Sequence, residues 1–169
     1  DNSANLKAFW RMGGGAGDDT RDGLIADQTK VGYGAEEVTN HEFEVGTFDG
    51  SGTNWGPENT GGSGDAIQII AGTLRIQSSG DSSNELGAIQ NGILTIGDIY
   101  RLDISISDCT GDGASILTKG GTGGSSVTHA ASLGNGYHYK HFKASGENLK
   151  IFRATQDSAT TFKVNYISV

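Results

Sequence analysis

Apolar and polar residues alternate through most of this chain. The clearest run is 99–107, where Tyr100, Leu102, Ile104 and Ile106 alternate with polar side chains. A period of two places successive side chains on opposite faces of a β-strand, so this run predicts a strand with one buried face. No stretch has a convincing helical period of 3.6 residues.

Shorter runs of the same kind predict further strands, separated by turns. They lie at 67–70, 73–77, 85–90, 116–119, 127–131, 137–144, 149–154 and 161–169. Val38 and the stretch 43–45 predict a first pair of strands, and 46–64 is expected to be a long loop that holds Trp55. Roughly nine or ten strands separated by short turns are typical of a sandwich or jelly roll.

The last predicted strand contains an irregularity. Val164 and Tyr166 have one parity, whereas Ile167 and Val169 have the other. An inward face that holds Val164, Ile167 and Val169 requires a β-bulge near Asn165. The alternative is a strand buried on both faces.

Composition supports this fold class and excludes some partners. The 169 residues include 28 glycines, which supply the positive φ of tight turns, and only one proline. Twelve basic and 20 acidic residues give a net charge of −8, which does not attract nucleic acid or anionic lipid. No apolar run approaches the ~20 residues of a membrane span. We therefore expect an all-β antiparallel β-sandwich (jelly roll) that binds neither nucleic acid nor membranes.

The first 35 residues differ from the rest. Phe9 and Trp10 belong to a short apolar cluster, and the loop-like sequence GGGAGDDTRDG follows it. We expect 1–35 to be an extended attachment arm whose Phe9 and Trp10 pack on a neighbouring subunit, and 36–169 to be the sandwich. Because the chain does not begin with methionine, we expect a processed N-terminus or a part of a longer polypeptide.

The sequence contains none of the common catalytic motifs. G-x-S-x-G, H-E-x-x-H and the P-loop are all missing. Asp103 and Asp108 could form a carboxylate pair, but exposed strand acids are the simpler interpretation. His138 and His141 are three residues apart and would point to opposite faces of a strand, which is poor geometry for a shared metal. We therefore expect a protein that is not an enzyme.

Aromatic residues provide the candidate binding site. Tyr137, Tyr139 and His141 share one face of a predicted strand that also carries two lysines. If exposed, this face could stack on sugar rings while polar neighbours bond their hydroxyls; the alternative places the tyrosine rings in the core. Trp55 has two interpretations as well, as a plug over the end of the sandwich or as a ligand platform.

Two segments resemble a known family. VTNHEFEVGTFDGSGTNW at 38–55 is similar to the opening of carbohydrate-binding modules of the family 4/9 type, and FKVNYISV at 162–169 resembles their closing strand. The resemblance covers about 36–169 and implies a jelly roll with a sugar-binding surface. It also implies a structural calcium ion and no other cofactor. Glu42 and Glu44 are available as its ligands, and Asn165 stands at the position of the family's closing Asp.

The N-terminal segment carries a second resemblance. LKAFWRMGGGAGDDTRDGLIADQT at 6–29, followed by GYGAEEVTN at 32–40, is similar to segments of bacteriophage tail-fibre and other virion surface proteins. This resemblance implies a non-catalytic virion surface protein (fibre, tail or capsid decoration) whose partners are other virion proteins, copies of itself and a host glycan. The alternative is a secreted carbohydrate-binding module of a polysaccharide-degrading enzyme.

Overall fold

The computed structural model contains ten strands and no helix in the residues that it describes. Those residues are 35–44, 54–58, 63–80, 85–121, 125–153 and 159–169. The strands are β1 Gly56–Glu58, β2 Ala66–Ile70, β3 Thr73–Ser78, β4 Gly87–Gln90, β5 Ile99–Thr110, β6 Ala114–Lys119, β7 Ser126–Leu133, β8 Gly136–Lys143, β9 Asn148–Arg153 and β10 Thr160–Ser168. Every strand pair is antiparallel, which confirms the predicted fold class.

The strands form two five-stranded sheets. The first sheet has the order β1-β4-β9-β6-β7 and the second has the order β2-β3-β10-β5-β8. Strands β7 and β8 follow each other in the chain, yet each lies at the edge of a different sheet. The chain therefore crosses from one sheet to the other through the short connection at Gly134 and Asn135.

The inner faces of the two sheets build the core. On β5, Leu102, Ile104 and Ile106 are at most 3% exposed, while the residues between them are partly exposed. Ile116 of β6 and Ile151 of β9 contribute fully buried side chains from the first sheet. On β5 the buried residues are those that the alternating pattern assigns to one face, because successive side chains point to opposite sides of a sheet. Strands β6 and β9, in contrast, are buried on both faces.

Strand β10 contains the predicted bulge. Its register with β5 shifts between Val164 and Tyr166, which leaves Asn165 as the extra residue. Val164 and Ile167 are fully buried, whereas Asn165 and Tyr166 are partly exposed. The bulge therefore turns two consecutive side chains away from the core.

The prediction of a first pair of strands is wrong for the described residues. Residues 35–44 contain no strand, although Val38 and Phe43 are buried in the core. Asn40 and Phe43 have φ angles of 55° and 54°, and the Phe43 amide donates to the Asn40 carbonyl over 3.1 Å. Positive φ is incompatible with an extended strand, so these apolar residues enter the core from a turn.

Glu36–Val169 forms one compact unit. Phe9 and Trp10 lie outside the described residues, so the attachment arm stays a prediction. In the parts of the chain that the structure describes, no helix has the length and apolar character needed to cross a membrane.

Candidate functional site

The candidate site is the outer face of the second sheet near its β8 edge. Residues of β8 and β5 lie opposite each other in three pairs, Tyr137–Ser105, Tyr139–Asp103 and His141–Arg101. Opposite residues of an antiparallel pair project to the same face. Since Leu102 and Ile104 between them are buried in the core, the three pairs lie on the outer face. We call these six residues, together with Tyr166 of β10, the tyrosine face.

The two tyrosine rings of β8 are open to solvent. Tyr137 is 58% exposed and Tyr139 is 67% exposed, while Phe142 on the opposite side of the same strand is buried. The interpretation that placed these rings in the core is therefore wrong. Their sugar-binding role stays a prediction, but the rings are accessible to a ligand.

Asp103 connects the two tyrosines. Its Oδ1 accepts hydrogen bonds from the Tyr137 hydroxyl and, over 2.8 Å, from Arg101 Nη2, and its Oδ2 is 2.7 Å from Arg101 Nε. The Arg101 guanidinium lies over the Tyr139 ring, 5.7 Å from its centre. The hydrogen bond to the carboxylate stabilises the protonated phenol and raises the pKa of Tyr137. This network orients both rings before a ligand binds.

Sequence reasoning did not assign Tyr166, Arg101 or Asp103 to the site. Tyr166 lies opposite Ser105 on β10, two strand spacings or about 10 Å from β8. Its ring makes an edge-to-face contact with His41 at 5.7 Å between centres. The break in parity that predicted the bulge also carries the signal that Tyr166 faces outward. In the sequence, Arg101 appears only as a polar residue of an alternating strand, and Asp103 was considered only as a member of a carboxylate pair with Asp108.

Trp55 is not part of the tyrosine face. Its side chain is fully buried directly before β1, a strand within the segment that was expected to be a loop, and its ring centre is 5.9 Å from that of Phe43. A ring enclosed in the core cannot stack on a glycan, so the interpretation of Trp55 as a ligand platform is wrong. The structure supports the other interpretation, a packed ring.

The residues predicted as calcium ligands lie on two neighbouring segments, since the Ile167 amide donates to the His41 carbonyl over 3.0 Å. Glu42 and Glu44 are exposed in the turn region before β1. Asn165 Oδ1 accepts a hydrogen bond from the Ser107 hydroxyl over 3.1 Å. Within the described ranges, no group of three or more His, Cys, Asp or Glu side chains is placed to hold a metal ion. The calcium ion stays a prediction from the resemblance.

Two other pairs were considered for chemistry, Asp103 with Asp108 and His138 with His141, and the members of each pair have different surroundings. Asp103 is bound by Arg101 and Tyr137, whereas Asp108 pairs with Lys163 over 2.7 Å. His138 Nε2 bonds a backbone carbonyl at 2.9 Å, and His141 is exposed on the opposite face of β8. Among the described residues, neither the two aspartates nor the two histidines considered from the sequence share a partner.

A hollow of about 410 Å³ opens next to the tyrosine face, between the β7 and β8 edges. Leu102, Ala130 and Leu133 supply apolar lining, and residues 137–140 of β8 line the other side. The hollow extends the accessible surface of β8 around the edge of the second sheet.

The fold is similar to that of carbohydrate-binding modules. The solved structure "BiXyn10A CBM1 APO" has a TM-score of 0.53 and 15% identity, covering 76% of this chain and 92% of that chain. "CBM4 structure and function" has a TM-score of 0.49 and 14% identity, covering 78% and 98%. A family 29 module mutant complexed with cellulohexaose has a TM-score of 0.44 and 12% identity, covering 66% and 78%.

No protein-family model and no curated protein matches the sequence at a significant level. At identities this low, the likeness to solved structures establishes the fold alone. It supports the resemblance to carbohydrate-binding modules that segments 38–55 and 162–169 carry, and it does not support a bacteriophage context. The chain therefore contains a two-sheet sandwich similar to those of carbohydrate-binding modules.

Proposed function

We propose that Glu36–Val169 is a non-catalytic carbohydrate-binding module that holds a glycan on the tyrosine face. The observation that carries the proposal is the pair of exposed rings, Tyr137 and Tyr139, fixed by the Asp103 and Arg101 network. A ring face covers the apolar side of a sugar, while neighbouring polar groups exchange hydrogen bonds with hydroxyls. Rings that are already oriented lose little conformational entropy on binding.

The position of the rings favours a ligand over a structural role. Exposed tyrosines are enriched at binding surfaces because they offer a large, rigid contact area. Tyr137 and Tyr139 lie next to each other on one strand, and Tyr166 adds a third ring across the sheet. The similarity of the sandwich to a solved carbohydrate-binding module supports the same function.

Substitution of Tyr139 tests the proposal. In Tyr139→Ala we expect affinity for a retained polysaccharide to fall about tenfold or more, as for the truncation of a central contact residue. Because the ring is 67% exposed, Tm should stay within about 2 °C of the parent. Affinity electrophoresis across a panel of polysaccharides and a thermal melt measure the two quantities.

Ile70→Ala is the matched control for this experiment. Ile70 is also a large exposed residue, 48% accessible, but it lies on β2 at the far edge of the same sheet. Truncation of the Ile70 side chain should leave the affinity for the polysaccharide unchanged. Equal losses in Ile70→Ala and Tyr139→Ala, or a large drop in Tm for Tyr139→Ala, would contradict a sugar platform on β8.

The virion assignment rests on the N-terminal segment. The comparisons with solved structures support a carbohydrate-binding sandwich and give no support to a virion context. Phe9 and Trp10 lie outside the described residues, so assembly through an arm and association with further copies stay predictions. The sugar-binding module of a secreted polysaccharide-degrading enzyme, the alternative reached from the sequence, is therefore the better-supported proposal.

A further inference from the structure

The second sheet carries charge of the opposite sign to the whole chain. Its strands hold two acidic residues, Asp103 and Asp108, and five basic ones, Arg75, Arg101, Lys140, Lys143 and Lys163. The complete sequence, in contrast, has 20 acidic and 12 basic residues. The strands of the first sheet also carry more basic than acidic residues, Lys119, Lys150 and Arg153 against Glu58, so the acidic excess of the sequence lies outside the ten described strands.

Most of the basic residues project outward. Arg75 lies opposite Lys163, which lies opposite Ser107, and all three alternate with buried core residues. Lys143 lies opposite Ile99, which is 73% exposed. Lys140 is exposed at the rim of the neighbouring hollow.

Part of this charge is not neutralised. Arg101 pairs with Asp103 and Lys163 pairs with Asp108, each over 2.7 Å. Lys143, in contrast, forms no ion pair with any residue that the structure describes. Among the described residues, the charge of the Lys143 ammonium is therefore not compensated by an ion pair.

Lys143 continues the row of outward residues on β8. Tyr139, His141 and Lys143 follow one another at intervals of about 7 Å, two residues of extended strand. A glycan that stacks on Tyr139 and runs along β8 brings the substituents of its next sugar to His141 and Lys143. A lysine ammonium at that position is a donor for a carboxylate or sulfate group.

We propose that the tyrosine face selects an anionic polysaccharide and that Lys143 pairs with one of its acidic groups; this rests on the proposed function. Stacking on Tyr139 provides affinity that does not depend on charge, and Lys143 provides the preference between acidic and neutral chains.

Matched pairs of polymers test this inference. Binding is measured by calorimetry for polygalacturonate and its carboxyl-reduced form, and for a sulfated galactan and its desulfated form. We expect one acidic polymer to bind more tightly than its neutral counterpart. Raising the ionic strength from about 0.05 M to about 0.5 M should remove the difference by screening. The pair that shows the difference identifies carboxylate or sulfate as the recognised group.

Lys143→Gln isolates the contribution of the ammonium group. Its affinity for the acidic polymer should fall about threefold, the size of one exposed ion pair, and its affinity for the neutral form should not change. Lys140→Gln makes the same charge change on the same strand but on the opposite face, and should have a smaller effect.

The outcomes separate this inference from the proposed function. If the acidic and neutral forms bound equally well and Tyr139→Ala bound neither, the proposed sugar-binding function would stand. The preference for anionic chains would be overturned. An acidic preference that Lys143→Gln leaves intact would overturn the role of Lys143. If the protein bound none of these polymers and none of the wider panel of polysaccharides, the proposed sugar-binding function itself would be overturned.

Discussion

At the residue scale, His129 shows how partial burial changes the chemistry of one side chain. Its Nε2 is 2.8 Å from the Thr118 hydroxyl oxygen, and its ring lies 4.5 Å from that of Phe142. Burial and the nearby Lys140 ammonium both disfavour the imidazolium, and they lower the pKa of His129. The folded protein therefore favours the neutral form of this histidine more than the unfolded chain does.

The lowered pKa makes stability depend on pH. The unfolded chain, with an ordinary histidine pKa of about 6.5, takes up the proton at a higher pH than the folded protein does. The contribution of His129 to the free energy of unfolding is therefore complete above about pH 6.5, the pKa in the unfolded chain, and it is lost as the pH falls below that value. We expect His129→Gln to flatten the decline in unfolding free energy between about pH 7.5 and 5.5, as measured by urea titration.

His141→Gln serves as the control for that measurement, because His141 is exposed on the outer face of β8. It makes the same substitution at a solvent-exposed histidine, so comparison of the two variants isolates the effect of the partly buried ring. A decline in His129→Gln as steep as in the parent would show that another group is responsible.

At the element scale, the alternation of apolar and polar residues predicts where the strands lie, but it does not predict which strands pair with each other. The run 99–107 lies within β5, and the turn expected at Gly72 is a two-residue hairpin turn in which Ala71 and Gly72 have φ of 49° and 72°. These features depend on neighbouring residues in the chain. The pairing of β4 with β9, about 60 residues later, depends instead on how whole faces pack, which no local pattern reports.

The exposure of the tyrosines could not be predicted for a similar reason. Strand β8 carries aromatic residues on both faces, with Tyr137 and Tyr139 on one side and His138 and Phe142 on the other. Periodicity separates the two sets but does not tell which set is buried. Pairing with β5 determines which face of β8 is buried, since Phe142 lies opposite Tyr100 and the two rings stack with their centres 5.8 Å apart.

Close contact between β4 and β9 predicts a costly substitution at Gly87. A Cβ there would collide with the Ile151 carbonyl oxygen and lie 2.7 Å from Phe152 Cβ. Gly87→Ala should therefore lower the unfolding free energy by about 1–3 kcal/mol, as overpacking does in a tight interior. Denaturant titration measures the loss.

Gly134→Ala is the matched control, because a Cβ at Gly134 would meet no atom within 4 Å. We expect a change of less than about 0.5 kcal/mol there. If both variants were as stable as the parent, β4 would have to move away from β9 without loss.

At the scale of the whole molecule, the two ends of Glu36–Val169 meet. The Glu37 amide donates to the Val169 carbonyl over 3.1 Å, and Glu36 Oε1 accepts from the Val169 amide over 3.1 Å. Val38 and Phe43, close to the start of this unit, belong to the core. The unit therefore contains the contacts that close its own sandwich.

We expect a protein of residues 36–169 to fold without the preceding segment. Circular dichroism should show a β-sheet spectrum, and heating should give one cooperative transition. A shorter protein of residues 44–169 loses Val38, Phe43 and the bonds to Val169, and its Tm should fall sharply. An unfolded 36–169 protein would show that the sandwich needs the first 35 residues.

The bulge in β10 allows residues on the outer surface of the strand to be changed independently of those in the core. Its extra residue gives the outer side of the strand two adjacent positions, Asn165 and Tyr166, while Val164 and Ile167 keep filling the interior. New side chains can be grafted at these two positions without altering the volume of the packed interior. Strand β10 is therefore the natural starting point for redesigning the outer face of this sandwich.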